Sequence, residues 1–167
     1  MGQNRGKQFE TVFKKSCEKC PGVSIDRFPD PSAGYAGIRN VCDFVVYCYP
    51  YQFYFELKSF YGNTLNFSNI TDNQWTGLLE KSKIPGVTAG IIAWFIDHDI
   101  TVFVPIDELQ MLNDKGRKSL NIKDIKECEV NYIEIPGKKR RVLFDYLITK
   151  SQLLWMGGCF SGTQYQG

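Results

Sequence analysis

The feature that most constrains the fold is a pair of apolar segments, residues 41–49 and 51–59, separated by a single proline. Both segments are rich in Val, Phe, Tyr and other residues that favour strands, and a proline between such segments marks a turn. The sequence therefore predicts a β-hairpin. Charged side chains interrupt the apolar pattern of both strands: Asp43 in the first, and Glu56 and Lys58 in the second.

These three charged residues are expected to lie close together. Alternate residues of a strand project from the same face, so Glu56 and Lys58 share a face and the hairpin brings Asp43 beside them. A carboxylate among apolar residues costs free energy unless it is paired, hydrogen-bonded or bound to a cation. A cross-strand salt bridge would satisfy this requirement, and so would a metal site.

The chemistry of the three side chains favours a metal site. Two carboxylates supply the hard oxygen ligands that Mg²⁺ or Mn²⁺ prefers. A bound metal of this kind lowers the pKa of a water molecule, and a neighbouring ammonium group stabilises negative charge in the transition state. The pattern of Asp43, Glu56 and Lys58 therefore indicates hydrolysis of a phosphodiester.

The rest of the chain alternates helical and extended patterns. Apolar residues at steps of three and four predict a helix over residues 5–20, and a capping box from Thr71 to Gln74 predicts the start of another. Further extended segments are expected at 23–28, 89–96, 100–104, 130–135 and 141–148, with a short helix at 105–112. This order predicts an α/β fold with a mixed central β-sheet flanked by helices.

The length of 167 residues fits a single domain. Residues 151–167 are left with two alternatives, an ordered edge anchored by Trp155 or a flexible tail.

The charge of the chain directs attention to local clusters. The net charge is only +2, so contacts with nucleic acid must come from groups of basic residues. Three such groups are candidates for DNA binding: Lys138, Lys139, Arg140 and Arg141; Lys115, Arg117 and Lys118; and an N-terminal group of Arg5, Lys7, Lys14 and Lys15.

The first residues lack the apolar core of a signal peptide, and residues 91–96 are too few to cross a bilayer, so we expect a cytoplasmic protein with reduced thiols and no membrane partner.

The cysteines and the single histidine exclude other classes of site. Cys17 and Cys20 have the spacing of a zinc pair, but they continue an apolar helix face and no second pair follows, which favours core packing. With His98 as the only histidine, a Ser-His-Asp triad is not expected.

The residues also resemble a known family. Asp43 followed by Glu56-Leu57-Lys58 resembles the PD-(D/E)xK nuclease motif, and further segments narrow the likeness to the RecU-type Holliday junction resolvases. Those segments are Gly-Lys-Gln-Phe-Glu at 6–10, Phe-Ser-Asn-Ile-Thr-Asp-Asn-Gln at 67–74, Val-Pro-Ile-Asp-Glu-Leu at 104–109, Gly-Arg-Lys-Ser-Leu at 116–120 and Asp-Tyr-Leu at 145–147. The resemblance covers residues 6–148.

The resemblance implies a fold, an activity and a set of roles. It implies a restriction-endonuclease-like fold and a homodimeric, Mg²⁺-dependent endonuclease, with Mn²⁺ as a possible substitute, that nicks opposed strands of four-way DNA junctions symmetrically. Asp43 and Glu56 would hold the metal, and Lys58 would stabilise the transition state. Gln74 would contact the metal through water, and Glu10 would be an accessory carboxylate.

Two positions depart from the family pattern, and several alternatives stay open. Cys42 stands where the motif has proline, and Val41 stands where the RecU pattern tends to have a threonine. Glu10 has a second expected role as the helical partner of Lys14, and Gln74 has one in its capping box. The alternative functions are another PD-(D/E)xK nuclease acting on duplex or branched DNA, a branched-DNA binding module that does not cut, and a redox or zinc protein.

Overall fold

A computed structural model describes residues 5–29, 40–140, 143–146 and 149–160. For residues 138–140 and 143–146 the description is of the backbone. The helices are α1 (Arg5–Glu18), α2 (Asp72–Ser82), α3 (Ile106–Asp114), α4 (Ile122–Lys126) and α5 (Lys150–Phe160). The strands are β1 (Ser24–Arg27), β2 (Phe44–Cys48), β3 (Tyr51–Phe60), β4 (Thr64–Asn66), β5 (Val87–Phe95), β6 (Ile100–Pro105), β7 (Ser119–Asn121), β8 (Ile133–Glu134), β9 (Gly137–Arg140) and β10 (Leu143–Tyr146).

A six-stranded mixed sheet forms the centre of the fold, in the order β1-β2-β3-β5-β6-β8. The predicted hairpin is confirmed: β2 and β3 pair antiparallel, from Phe44 opposite Phe55 to Cys48 opposite Tyr51. The next pair, β3 and β5, is parallel, and α2 forms the crossover between them. Parallel neighbours need such a crossover, so this connection places α2 against the sheet beside β3.

The two faces of β3 have different environments. Phe53, Phe55 and Leu57 belong to a buried cluster that also contains the apolar residues of α1 and α5. Tyr54 packs against a second cluster on the other face, beneath α2, α3 and α4. Because strand side chains alternate, the even-numbered residues of β3 project toward the α2 face. The sheet therefore lies between two helical layers, as the sequence predicted.

Most of the predicted elements are confirmed, with small shifts in their ends. Both hydrogen bonds of the predicted capping box are present at the start of α2. A short 3₁₀ turn at Ile96–His98 separates β5 from β6, which correspond to the predicted segments 89–96 and 100–104. Asp43 lies immediately before β2 rather than inside it, although its backbone N–H still donates to Phe55 O at 3.2 Å.

Other elements were not expected. The β4–β7 pair, α4 and α5 had no assigned pattern in the sequence. Of the two alternatives for the C-terminal segment, the described part is an ordered helix, α5, which is buried through Leu153 and Met156, whereas the Trp155 side chain is 68% exposed. Residues 161–167 lie outside the described residues.

The cysteine expectations are consistent with the packing. Cys17 is fully buried in the cluster beneath α1, and Cys20 is buried at the end of that helix, where core packing was predicted. All six cysteines are free thiols. Among the described residues, no group of three or more His, Cys, Asp or Glu side chains has the arrangement of a metal site.

Candidate active site

The predicted residues Asp43, Glu56 and Lys58 meet at one place on β3. Asp43 Oδ2 accepts a hydrogen bond from the backbone N–H of Leu57 at 2.8 Å, so its carboxylate is held against β3. Glu56 precedes Leu57 and is 3% exposed, which makes it one of the few buried charged residues of the described chain. Lys58 Nζ lies 2.8 Å from Glu56 Oε1. The hairpin register therefore produces the grouping that the sequence pattern predicted.

The two oxygens of Glu56 have different surroundings. Oε1 accepts from Lys58 Nζ and, at 2.7 Å, from Gln74 Nε2 of α2. Oε2 is buried and has no hydrogen-bond partner among the described residues. A buried oxygen without a partner is costly, because it has lost its water and gained nothing in exchange. Glu56 Oε2 is therefore a position where a further ligand would stabilise the fold.

Burial also raises the pKa values of both carboxyl groups. Removal from water is the largest cause of the rise in the pKa of Glu56 to about 7; repulsion from Asp43 and a hydrogen bond between the two carboxyl groups add to it, and Lys58 opposes it. The pKa of Asp43 is also raised by burial, against the opposing effects of the Leu57 N–H, Lys58 and Arg27. Without a cation, the two carboxylates resist full ionisation at neutral pH.

The donor set fits a hard divalent cation. Asp43 and Glu56 supply two adjacent carboxylates, one with an unpartnered buried oxygen. Two carboxylates plus water molecules is a typical ligand set for Mg²⁺, which keeps much of its hydration shell. A soft thiolate ligand is absent from this set: burial raises the pKa of the neighbouring Cys42 thiol, and its Sγ donates to Phe44 O.

Gln74 makes the capping box that its sequence position predicted and also contacts the candidate metal ligand Glu56. Its backbone N–H donates to Thr71 Oγ1 at 3.2 Å, and its Oε1 accepts from the Thr71 N–H at 3.0 Å, which completes the capping box. The Thr71 N–H only donates, so the amide oxygen faces the cap and the amide nitrogen faces Glu56. In this orientation Gln74 contacts the carboxylate of Glu56 directly.

Glu10 makes a contact that the sequence did not predict. Its Oε2 lies 2.6 Å from a guanidinium nitrogen of Arg27, which projects from β1. The expected pairing with Lys14 is not formed, since Lys14 contacts Glu18 instead. Arg27 was not identified as a candidate because an isolated basic residue in a short strand carries no local signal.

The predicted DNA-binding residues are dispersed over the fold. Lys7, Lys115 and Lys118 are exposed, whereas Arg117 makes two hydrogen bonds, of 3.0 and 2.7 Å, to the carboxylate of buried Asp124. Lys138, Lys139 and Arg140 lie in β9, where the structure describes their backbone alone, and Arg141 lies outside the described residues.

The chain is similar to one protein family in sequence and to a solved resolvase in structure. The model of a family described as recombination protein U matches residues 7–150. Among solved structures, the chain resembles Hjc, a Holliday junction resolvase from the archaeal hyperthermophile Archaeoglobus fulgidus, with a TM-score of 0.51 and 18% sequence identity. The match covers 71% of this chain and 89% of the Hjc chain. The likeness confirms the predicted fold class.

No curated protein matches the chain. Within the described residues, no helix has the length and apolar character needed to span a membrane.

The raised pKa of Glu56 predicts how stability depends on pH. A carboxyl whose pKa rises on folding, here from 4.5 to about 7, destabilises the fold when it ionises. Stability is therefore full below the unfolded pKa and is lost as pH rises through the folded one. In EDTA, the free energy of unfolding in urea should fall by roughly 2 to 3 kcal/mol between pH 5 and pH 8.

The matched variants distinguish this effect from general charge effects. Glu56→Gln should remove most of the pH-dependent loss, whereas Glu127→Gln, at an exposed position, should retain it. Mg²⁺ at pH 8 should raise the free energy of unfolding of the wild type and leave that of Glu56→Gln unchanged. An equally steep loss in Glu56→Gln would contradict the assignment to Glu56.

Proposed function

The chain belongs to the recombination protein U family, and from this membership and its site we propose a divalent-metal-dependent endonuclease that resolves four-way DNA junctions by paired, symmetric nicks. The observation that carries the proposal is the pair of adjacent buried carboxylates, Asp43 and Glu56, with Lys58 beside them. The fold shared with the resolvase Hjc supports it. Intact acidic and basic groups favour cleavage over binding alone.

Asp43 and Glu56 are the proposed metal ligands. When bound, Mg²⁺, or Mn²⁺ in its place, supplies an activated water and neutralises charge on the phosphate. Asp43 is held in place by the Leu57 N–H, and Glu56 by Lys58 and Gln74, so both carboxylates are oriented before any ligand binds. Such preorganisation lowers the cost of assembling the site during the reaction.

Lys58 is the proposed stabiliser of the transition state. Its side chain is 22% exposed, whereas that of Glu56 is 4% exposed, so the ammonium lies between the buried carboxylate and the surface. Its charge also lowers the pKa of both carboxyl groups, which favours the ionised forms that a metal requires. A phosphodiester approaching the carboxylates would meet this ammonium group.

Gln74 is proposed to position Glu56. Its amide is fixed at one end by the Thr71 N–H and donates from the other end to Glu56 Oε1. Hydrogen bonds of this kind orient metal-binding carboxylates and are often as important as the ligands themselves. Contact of Gln74 with the metal through water, and a catalytic role for Glu10, stay predictions.

The substrate and assembly complete the proposal. Lys7, Lys115 and Lys118 are exposed and available for phosphate contacts, which would position branched DNA without reading its sequence. Two opposed strands must be cut together, so we propose that the enzyme acts as a homodimer. The cytoplasmic location stays a prediction from the sequence.

Cleavage of a labelled four-way junction tests the proposal against its matching linear duplex. The wild type should make paired, symmetric nicks in the junction with Mg²⁺ and none with EDTA. Asp43→Asn should reduce the rate at least about 100-fold, because it removes a charged metal ligand. Equal cutting of the duplex would leave a nuclease without junction specificity, and tight binding without cutting would indicate a binding module.

A pair of variants separates the two roles of Gln74. Gln74→Ala removes both the cap contact and the hydrogen bond to Glu56, and should reduce the cleavage rate about 10- to 100-fold. Thr71→Ala removes only the cap, and should cost about 1 kcal/mol of stability while changing the rate less than about threefold. Equal losses of rate in the two variants would mean that Gln74 acts through the helix end alone.

A further inference from the structure

A groove of about 410 Å³ runs along α1 where that helix faces β1. Its lining includes four cations and two carboxylates: Lys7, Lys14, Lys15 and Arg27, with Glu10 and Glu18. Each carboxylate contacts one of the cations, Glu10 with Arg27 and Glu18 with Lys14. The groove is therefore positively charged, whereas the chain as a whole is nearly neutral.

The cations of the groove come from several positions along α1 and from β1. Lys7 and Lys14 are seven residues apart on α1, which is about 10 Å along the helix axis. Arg27 reaches the groove from β1 at the level of Glu10, between the two lysines in axial position. The cations of the groove are therefore spread over about 10 Å of the helix, a span that suits a linear polyanion better than a small anion.

Arg27 connects this groove to the candidate active site. It pairs with Phe44 in the sheet, one residue from Asp43, and the N–H of the next residue, Phe28, donates to Asp43 O at 2.9 Å. Arg27 and Phe44 lie on the α1 face of the sheet, whereas Glu56 lies on the α2 face, so a DNA strand in the groove would lead toward Asp43 around the edge strand β1.

Glu10 restrains the Arg27 side chain. Its carboxylate is the more buried partner, at 19% exposed against 43% for Arg27, so the contact fixes the guanidinium on the groove floor. A guanidinium has five N–H donors in a planar fork, and the contact uses one of its nitrogens. Donors of Arg27 therefore remain for a phosphate, a group that arginine binds in bidentate fashion.

We propose that this groove binds the phosphate backbone of the DNA strand entering the active site, that Arg27 contacts a phosphate there, and that Glu10 is a positioning residue for Arg27. The proposal rests on the proposed nuclease function and adds to it a path for the strand. It also gives the first-helix carboxylate a role other than holding metal.

The salt dependence of junction binding tests the groove directly. Binding of a labelled four-way junction is measured by fluorescence anisotropy in EDTA over a range of KCl, with every variant carried in an Asp43→Asn background. Arg27→Gln should weaken binding and reduce the slope of log K against log salt by about one, because one phosphate contact is lost. Lys83→Gln removes an exposed charge at the opposite end of the sheet and should leave the slope unchanged. An unchanged slope in Arg27→Gln would overturn the proposal.

Glu10→Gln gives a result that simple electrostatics would not. Removal of a negative charge from a DNA-binding groove should tighten binding if Glu10 acts only through its charge. If Glu10 orients Arg27, the same change should weaken binding at least about threefold, and it should produce no further weakening in the Arg27→Gln background. Tighter binding by Glu10→Gln, or additive losses in the double variant, would overturn the positioning role.

The metal dependence of cleavage distinguishes the remaining role for Glu10. As a positioning residue, Glu10→Gln should leave the Mg²⁺ concentration for half-maximal junction cleavage unchanged, whereas a metal ligand would raise it. Because the binding measurements use no metal, failure of the wild type to cut junctions would overturn the proposed function and leave the groove result standing. A wild type that cuts junctions, with an unchanged salt slope in Arg27→Gln, would support the proposed function and overturn the role of the groove.

Discussion

The site depends on the burial of one carboxylate beside another within a sheet. Glu56 is nearly inaccessible to solvent on a central strand, and Asp43 is fixed against the same strand by the Leu57 N–H. The loss of water on burial, together with repulsion from the Asp43 carboxylate, raises the pKa of Glu56 to about 7. Lys58 and Gln74 offset part of the free-energy cost of burial through their contacts with Oε1. Oε2 has no partner among the described residues, and a bound cation would offset the remaining cost. The proposed metal site is therefore one whose stability would improve if a divalent cation bound.

The topology explains how these groups come together. The β2–β3 hairpin sets Asp43 beside Glu56, and the parallel pairing of β3 with β5 requires a crossover that α2 provides. The N-terminus of α2 therefore reaches the even-numbered face of β3, where the capping glutamine meets Glu56. On the other face α1 covers the sheet with its apolar residues and presents Glu10 and the basic groove beside β1. Strand β1, through the pairing of Arg27 with Phe44, thus lies between the proposed metal site and the groove in which DNA is proposed to bind.

The sequence predicted those parts of the fold that depend on local signals. The hairpin, the capping box and the apolar periodicity of α1 are encoded within a few residues each, and all three are confirmed. Helix α4 has only five residues and the β4–β7 strands have three each, too short for a periodic pattern to stand out. The sequence left open whether Trp155 anchors the C-terminal segment; on α5 its side chain is exposed, and the buried residues are Leu153 and Met156. The pairing of Glu10 with Arg27 joins residues 17 positions apart and depends on how α1 lies against β1, which no local pattern specifies. Residue chemistry indicated phosphodiester hydrolysis; the choice of four-way junctions came from family resemblance.

Calorimetric titration with Mg²⁺ at pH 7, in two buffers of different ionisation enthalpy, tests whether Asp43 and a partly protonated Glu56 bind the metal. A carboxyl with a pKa of about 7 is about half protonated there, so metal binding should release about half a proton from Glu56. We expect buffer-dependent binding heat for the wild type, and loss of both binding and proton release in Asp43→Asn. Binding that is unchanged in Asp43→Asn, or wild-type binding without proton release, would show that Asp43 and a protonated Glu56 do not form a metal site.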